Sequence, residues 1–566
     1  MKNLIKYTTI ILMVTGILFS CGEDYLEEVP LDRFSPENLL VNEDGYNAAV
    51  TAIYEAARLE HNIASSIFEY MNVGTDIARW GRPDNRGLAD YTLLNSTYSA
   101  ASIYWDWAYE DMLVRINLVL DGIDDPELDI SDEARASFKG EALFFRAYTF
   151  NFLTNIYGDV PIVSERLQEP KFDFVRSPRQ EVLEFAAADL EAAVGLLDLE
   201  VEDGRIPRAA AYHLLSEVYI SLGMETGDAS YYDQSITAAS MVIDKQAGDY
   251  EIMTERFGPA SSEPGDVFSD VHAYGQINRS DGNKEVLWAW QFELYILGGS
   301  GNQSPRYWAP EYDKLKTPNN VSNIDDNEHV RGIGVNSPTN YVKYGIWALD
   351  PNDMRNSEHN IKRTFYYNNP ADPEYYGKEI KTGYGPDDNL YILEDDGVTL
   401  TNIKLDTVRG YYPWIEKISG YPRADSPNSG STAKDFSRMR VAETYLLRAE
   451  AYFRKGELDN AADDINVVRA RANASLISGA DVTEDFILDE RARELLVEEP
   501  RLRTLIRMGR LVDRVRTYNS APYAPGGPSA GTTIADHNEY WPIPQSVIDA
   551  NAGAEMTQNP GYPGSE

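Results

Sequence analysis

The sequence predicts a mainly α-helical fold in which pairs of helices support an irregular, loop-rich middle region with minor β hairpins. Apolar residues recur at helical spacing in four long blocks outside residues 250–435, and two of these blocks look like each other. Inside residues 250–435, Gly, Pro, Asn, Asp and aromatic residues crowd together with few helical runs. The hydrophobic content of 43% and the charged content of 25% are typical of a globular chain, so the irregular region is expected to be folded.

The amino terminus has the pattern of an export signal followed by a lipid attachment site. Two lysines precede an apolar run at residues 10–19, which is too short to span a membrane comfortably. The sequence LFSC then places Cys21, the only cysteine of the 566 residues, directly after the small Ser20. This arrangement resembles the lipobox of bacterial lipoproteins, and it predicts a signal peptide at residues 1–20 and acylation of Cys21.

The residues that follow Cys21 are acidic. They read GEDYLEE, which resembles the signal by which Bacteroidetes send lipoproteins to the outer face of the outer membrane. We therefore predict an acidic tether at residues 21–40 and a lipid-anchored protein of the outer membrane that faces the exterior. Removal of residues 1–20 changes the net charge from −40 to −42, which disfavours nucleic acid and anionic lipid headgroups as partners.

The predicted amino-terminal part of the folded protein, residues 41–249, is helical. Apolar residues at helical spacing predict one helix within residues 103–123 and another within residues 134–163. The second helix is expected to stop at Gly158 and Pro161, because both residues break helices.

Two further blocks predict helix pairs that resemble each other. Residues 211–223 and 231–243 form the first predicted pair, and residues 444–456 and 457–472 form the second. In the second pair, seven residues fall on the positions of a tetratricopeptide repeat: Tyr445, Ala449, Tyr452, Gly456, Ala461, Ile465 and Val468. Such pairs bury their apolar faces only by stacking on neighbours, so we expect a scaffold of several pairs that includes the carboxy-terminal part, residues 436–566.

The loop-rich region between the two pairs, residues 250–435, is the predicted ligand-binding region. The sequence LYILEDDGVTLTNI predicts a hairpin that turns at Asp396 and Gly397. Residues 285–294, EVLWAWQFEL, fit either a strand or a short helix. Long irregular stretches in folded proteins are usually functional, and loops on a rigid frame are where binding tends to lie.

The sequence lacks the usual signatures of an enzyme. It has no HExxH, no GxSxG, no P-loop and no dinucleotide-binding motif, and it implies no cofactor. The acidic residues Asp325, Asp326 and Glu328 lack the spacing of a calcium loop. No metal-ligand spacing is present among the six histidines, which are His61, His213, His272, His329, His359 and His537. With 91 acidic residues, a hydrolase or lyase that uses an unrecognised carboxylate pair remains an alternative.

Four sequence blocks behind the lipobox resemble the SusD/RagB family of outer-membrane lipoproteins of Bacteroidetes. The blocks read GEALFFRAYTFNFLTNIYGDVPIV, RMRVAETYLLRAEAYFRKGELDNAADDINVVRARA, LDERARELLVEE and, at the tail, WPIPQSVIDANAGAEMTQNPGY. The resemblance runs from Cys21 to the end of the chain, and the tail is its most specific part. It implies a mainly helical fold with four tetratricopeptide-like units and a less regular ligand-binding half.

The resemblance also implies a function without chemistry. Members of this family capture a nutrient at the cell surface, most often an oligosaccharide, and pass it to a SusC-type TonB-dependent transporter on which they sit as a lid. Peptides are possible ligands in the family. A structural helical-repeat adaptor with no affinity for saccharides is a further alternative.

One block departs from the pattern of the family. Family members usually carry EGxRxxDLxR after the helix that contains ERARE. Here Glu498 and Arg501 match, but Glu499 replaces the glycine and Thr504 replaces the aspartate. We interpret the block as an ion-paired helix end, so the departure is expected to alter local geometry rather than function.

Saccharide binding requires aromatic rings with polar neighbours, because the flat C–H face of a pyranose packs on a ring while its hydroxyl groups need planar hydrogen-bonding partners. Aromatic residues in turn-rich, hydrophilic surroundings are therefore the candidates, with Trp80 and Trp308 as the first choices. The full set of candidate ligand-binding residues is Trp80, Arg82, Asn85, Tyr307, Trp308, Trp347, Tyr412 and Trp414.

Overall fold

The computed structural model describes residues 39–62, 71–82, 87–324, 329–422, 424, 430–522 and 527–565. The predicted signal peptide, Cys21 and almost all of the tether lie outside the described residues, as do Asn85 and the acidic residues 325, 326 and 328. Among the described residues, none of the helices is both long enough and apolar enough to cross a membrane.

The amino-terminal part is helical, as predicted. Its helices are α1 (Glu43–Asn62), α2 (Ser99–Asp106), α3 (Leu113–Gly122), α4 (Asp132–Tyr157), α5 (Arg179–Leu196), α6 (Arg208–Thr226) and α7 (Ser230–Ile243). A single π-helical segment, Trp107–Met112, joins α2 to α3. Helix α4 begins at Ser131, whose side chain accepts a hydrogen bond from the Ala134 N–H, and ends at Gly158, as its sequence predicts.

The middle of the chain contains short helices and small antiparallel sheets. The helices are α8 (Val267–Val271), α9 (Ser304–Trp308) and α10 (Asn340–Lys343). The paired strands are β1 (Ala78–Trp80) with β3 (Asn336–Pro338), β2 (Val286–Trp290) with β9 (Phe436–Arg440), β4 (Ile361–Lys362) with β8 (Trp414–Ile415), and the three-stranded sheet of β5 (Thr382–Tyr384), β6 (Leu390–Leu393) and β7 (Leu400–Lys404). Residues 285–294 thus contain a strand, and the predicted hairpin is present, with Gly397 at a φ of 69° in its turn.

The carboxy-terminal part returns to helices. They are α11 (Val441–Lys455), α12 (Leu458–Arg471), α13 (Glu484–Glu494), α14 (Arg501–Arg507), α15 (Leu511–Tyr518), α16 (Ala530–Thr533) and α17 (Gln545–Ala550). Gly456 separates α11 from α12 with a φ of 80°, a conformation that glycine adopts without strain. The later helix pair therefore forms as predicted.

The two predicted helix pairs lie side by side, although about 200 residues separate them in the sequence. Helix α11 packs against its own partner α12 and also against α6 and α7. In the earlier pair the turn falls later than predicted, because α6 continues through Gly223 to Thr226 and ends at Gly227. A Cβ on Gly223 would lie 2.5 Å from the Tyr232 ring, so this glycine permits the close approach of α7.

Most of the chain shares one hydrophobic core. Its members come from α1 to α7, from β2 and β9, and from the carboxy-terminal helices. The tail closes this core at its edge, since the Asn559 side-chain amide donates to the carbonyl groups of Tyr157 and Trp541 at 2.8 and 2.7 Å. A smaller, separate core lies under the three-stranded sheet and takes its buried residues from Ala309 to Trp414.

Candidate ligand-binding site

The structure brings most of the predicted aromatic segments together around residues 333–338. Trp80 lies in β1, opposite Asn336 in β3. The carbonyl group of Tyr307 accepts a hydrogen bond from the Val335 N–H at 3.0 Å. The Tyr412 hydroxyl in turn donates to the carbonyl group of Trp308 at 3.1 Å. Segments that are far apart in the sequence thus meet at one strand.

These side chains are nevertheless buried, so the expectation that they form exposed platforms is wrong. Their exposed fractions are 6% for Trp80, 7% for Tyr307, 1% for Trp308, 4% for Trp347, 2% for Tyr412 and 3% for Trp414. Arg82 is half-buried, and Asn85 lies outside the described residues. The physical reason is that burial of these large rings completes the cores: Trp80, Tyr307, Trp308 and Trp347 belong to the main core, and Trp414 belongs to the smaller core.

The exposed aromatic side chains are mainly tyrosines. Among the described residues, those with more than two fifths of their surface exposed are Phe172, Tyr274, Tyr295, Tyr344, Tyr366, Tyr376, Tyr384 and Tyr421. Tyr274 and Tyr421 form a pair, with ring centroids 5.3 Å apart and ring planes at 71°. They are 44% and 56% exposed, and both line one cleft.

This cleft has a volume of about 450 Å³ and is lined largely by polar groups. One wall comes from the segment around α8, another from residues 416–421 after β8, and further groups come from His329, His359 and Lys434. Every lining residue falls between Arg256 and Lys434, inside the region that the sequence marks as loop-rich. We call this feature the polar cleft.

Three of the six histidines meet in the polar cleft, which the sequence did not indicate because they belong to three distant segments. They are His272, His329 and His359. Among the described residues, no group of His, Cys, Asp and Glu is arranged to hold a metal ion.

His272 carries a buried ring nitrogen without a hydrogen bond. The residue is 4% exposed, and its Nε2 atom makes no hydrogen bond, since Glu498 Oε1 lies 3.8 Å away. Burial, followed by the nearby positive charge of Lys417, lowers the pKa of His272 well below its ordinary value, so the ring is neutral. An unpartnered buried polar atom is costly, and this nitrogen lies on the side of the ring that faces the buried Glu498.

Lys434 adds a cation that is not paired to a carboxylate through a hydrogen bond. Its Nζ atom donates to the carbonyl groups of Lys417 and Ser419, both at 2.8 Å. Burial lowers the pKa of Lys434 to about 7, which leaves the group partly neutral near neutral pH.

Two of the three carboxylates that line the cleft, Asp270 and Glu416, are already engaged. Asp270 accepts two hydrogen bonds from Arg256, at 2.5 and 2.8 Å. Burial by itself would raise the pKa of Glu416, but the hydrogen bond and charge of His329 bring it below its ordinary value. A general acid for glycoside cleavage needs a raised pKa, and the shift of Glu416 is in the opposite direction.

Sequence reasoning missed Tyr274 and Tyr421, although one signal was present. Tyr421 stands in a Gly-Tyr-Pro turn, in the same kind of hydrophilic, turn-rich surroundings that favoured Trp80. The polar surroundings were informative, but they did not distinguish a ring that points outwards from one that points inwards.

Comparisons with known proteins agree with this fold. The model of the SusD family matches residues 284–562, and a second model, described as "Starch-binding associating with outer membrane", matches residues 24–220. The starch-binding protein SusD of Bacteroides thetaiotaomicron is 23% identical over 519 residues, which are 89% of this chain and 86% of that protein. SusD-like protein P25 of Formosa agariphila is 24% identical and covers 97% of both chains.

Solved structures show the same architecture. A laminarin-binding SusD-like protein superposes with a TM-score of 0.66 at 20% identity, covering 92% of this chain and all of that chain. A SusD homolog from Bacteroides thetaiotaomicron superposes with a TM-score of 0.69 at 18% identity, covering 96% of this chain and all of that chain. With two family models that together span most of the sequence, the chain belongs to the SusD/RagB family.

Proposed function

We propose that the protein is a non-catalytic, cell-surface lipoprotein that captures oligosaccharides and delivers them to a SusC-type TonB-dependent transporter. The observation that carries this proposal is the polar cleft, in which the paired, partly exposed rings of Tyr274 and Tyr421 stand beside polar groups such as Asn360 and Lys434. The names of the relatives support the ligand class, because they include a starch-binding protein and a laminarin-binding protein.

In this proposal, the exposed Tyr421 ring packs against the C–H face of a sugar while the histidines and lysines of the cleft bind its hydroxyl groups. Removal of one stacked ring from a binding site typically weakens affinity about tenfold, or roughly 1.4 kcal/mol. We therefore expect Tyr421→Ala to lower the affinity of the protein for its preferred oligosaccharide by about this factor. Calorimetric titration against a panel of neutral and acidic oligosaccharides measures it.

The matched control for this variant is Tyr376→Ala. Tyr376 is 57% exposed, almost the same as Tyr421, but it does not line the polar cleft. Equal affinity of the two variants would refute the assignment of the cleft. The appearance of new reducing ends during the titration would identify a hydrolase, and binding of peptides instead of saccharides would identify the other ligand class.

The proposed attachment to the membrane is tested at Cys21. A preprotein with Cys21→Ser has no thiol to acylate, so we expect the variant protein to leave the membrane fraction and to lose label from radioactive palmitate. Protease added to intact cells should degrade the wild-type protein if it faces the exterior. Wild-type protein that is unlabelled, or that resists the protease until cells are broken, would contradict the proposed location.

A further inference from the structure

Three tyrosines from three separate segments of the loop-rich region lie together on the surface. Tyr344 follows α10, Tyr384 ends β5, and Tyr411 precedes β8. Tyr344 and Tyr384 are 58% and 77% exposed, and Tyr411 is half-buried. We call these three residues the tyrosine patch.

The phenol groups of the tyrosine patch are neighbours. Burial is the main reason that the pKa of Tyr344 is raised, and the nearby Tyr384 raises it further. Burial also raises the pKa of Tyr411, and the nearby Tyr344 contributes to that shift. Tyr344 is therefore close to both of the other tyrosines.

Residues 363–365 join the segments that carry the patch. The Arg363 guanidinium donates to the carbonyl group of Lys343 at 3.1 Å, directly before the first tyrosine. The Phe365 ring packs against the Tyr411 ring, with centroids 5.5 Å apart. The Phe365 carbonyl group accepts a hydrogen bond from the Ile380 N–H at 2.8 Å, two residues before β5. Because the patch is formed in advance, a ligand would lose little free energy in ordering it.

The charges around the patch favour a neutral ligand. The Arg363 guanidinium makes four hydrogen bonds to oxygen atoms of residues 343, 356 and 361, so most of its donors are already used. Glu379 is exposed, and its negative charge also contributes to the raised pKa of Tyr411. The whole chain carries a net charge of −40. A carboxylate or sulfate group of a ligand would therefore be repelled here.

The exposed rings match the chemistry of a saccharide. A tyrosine ring has apolar faces and a polar hydroxyl group, and a pyranose has an apolar C–H face and a rim of hydroxyl groups. Packing of the two removes apolar area from water at about 25 cal/mol per Å². The carboxylate of Glu379 is a nearby acceptor for hydroxyl groups of the ligand.

The tyrosine patch is a different surface from the polar cleft, although the strand pair β4 and β8 connects them. Asn360 and Glu416 line the polar cleft, and the Glu416 N–H donates to the carbonyl group of Asn360 at 2.9 Å. Phe365 and Tyr411 lie five residues away along the same two segments, which is at most about 17 Å. No tyrosine of the patch lines the polar cleft.

We propose that the tyrosine patch is a second saccharide-binding surface, on which the rings of Tyr344 and Tyr384 pack against neutral sugar units. This inference rests on the proposed function, because it takes a glycan to be the ligand. A polysaccharide repeats its binding unit many times, so it can engage both surfaces of the protein. Two linked binding events give a polymer a higher affinity than a short fragment has.

Nitration of the full mature chain by tetranitromethane, followed residue by residue by mass spectrometry, tests the tyrosine patch. The probes are neutral polysaccharides, including starch and laminarin, and a polyuronate as the acidic counterpart. With a neutral ligand at about ten times its dissociation constant, we expect about tenfold slower nitration of Tyr344 and Tyr384. Tyr376 is the internal control, since it is 57% exposed and lies in neither surface, and its rate should not change.

The same experiment separates this inference from the proposed function, because Tyr421 reports on the polar cleft. Protection of Tyr421 without protection of Tyr344 and Tyr384 would overturn the second surface and leave the proposed function intact. If no polysaccharide protected any of the three tyrosines, both proposals would fail. Protection of the patch by the polyuronate alone would contradict the neutral class of ligand.

Substitutions in the patch test whether the rings themselves bind. The double variant Tyr344→Ala with Tyr384→Ala should bind the protecting polysaccharide about tenfold more weakly in affinity electrophoresis. The double variant Tyr344→Phe with Tyr384→Phe keeps both rings, so its affinity should stay close to that of the wild type. Tyr376→Ala is the matched control and should have no effect. Equal losses in the alanine and phenylalanine variants would show that ring packing does not carry the binding.

Discussion

Glu499 stands where relatives of this family usually have a glycine, and its contacts explain how the chain accommodates the change. One carboxylate oxygen accepts hydrogen bonds from Arg491 at 2.5 Å and from the Thr504 hydroxyl at 2.8 Å, and the other accepts from Arg501 at 3.1 Å. Thr504 occupies the usual position of an aspartate. The negative charge has thus moved from position 504 to position 499, within the ion-paired helix end that the sequence predicts.

This exchange predicts that the two positions are coupled. Glu499→Gly alone leaves buried arginines short of a carboxylate and should lower the free energy of unfolding by about 2–3 kcal/mol. Thr504→Asp alone places a second carboxylate beside that of Glu499 and should also lower the free energy of unfolding. The double variant again has one carboxylate at this site. Its loss of free energy of unfolding should therefore be smaller than the sum of the two single losses by more than about 1 kcal/mol.

Urea unfolding of the wild type, both single variants and the double variant measures this cycle. Strict additivity of the two effects would mean that Glu499 and Thr504 act independently, contrary to the hydrogen bond that joins them. A variant far from the helix end, Glu263→Gly, provides the control, since Glu263 is exposed and should change the free energy of unfolding little.

The candidate site shows that the sequence neighbours of an aromatic residue do not predict whether its ring is exposed. Trp80 and Trp308 have hydrophilic, turn-rich neighbours in the sequence, but they lie in β1 and α9, and burial of an indole removes so much apolar area from water that it outweighs the polarity of those neighbours. In a loop no periodicity tells which way a ring points, so the sequence could identify the loop-rich region but not its exposed rings. Tyr421, in similar surroundings, points outwards.

At the scale of elements, the helices were predictable because their apolar spacing repeats over many residues. Helix α4 and the pair α11 and α12 follow their sequence patterns closely. The strand pairs were not predictable, because β2 pairs with β9 across about 150 residues and such pairing leaves no local pattern. The hairpin at Gly397 is the exception, since its partners are neighbours in sequence.

Two glycines give a matched test of how helices end. Gly456 closes α11 at a φ of 80°, whereas Gly195 lies within α5, and an added Cβ would meet no atom within 4 Å at either position. Gly456→Ala should therefore lower the free energy of unfolding by about 1 kcal/mol through backbone strain alone. Gly195→Ala should raise it by about 0.5–1 kcal/mol, because alanine favours the helix.

Thermal and urea unfolding measure the change in the free energy of unfolding, which should be a decrease for Gly456→Ala and an increase for Gly195→Ala. If Gly456→Ala proved as stable as the wild type, the turn between α11 and α12 would be able to relax, and the left-handed conformation would not be required there. A decrease for Gly195→Ala would mean that α5 does not extend to this residue.

At the scale of the whole molecule, the three regions marked by the sequence are not three independent bodies. The main core joins helices on both sides of the loop-rich region and includes Trp288 and Trp290 of β2, so the frame forms only when both ends of the chain are present. The carboxy-terminal tail, through Asn559, fastens onto the end of α4. No local pattern in the sequence indicates this long-range contact, because its partners are about 400 residues apart.

Part of the loop-rich region, in contrast, packs on a separate small core, and this division predicts unequal local stability. The sheet of β5, β6 and β7 rests on the small core between Ala309 and Trp414, whereas α4 is buried over most of its length in the main core. Segments with few buried apolar contacts open at a lower free energy than the global unfolding. We therefore expect amide hydrogen exchange in residues 382–404 to be faster than in α4, and we expect exchange in α6, which is buried in the same main core, to match that in α4. Native-state exchange followed by mass spectrometry measures the three segments together. Equal protection of all three would show that the small core unfolds only with the main core, and the loops around the polar cleft would then be as rigid as the helical frame that carries them.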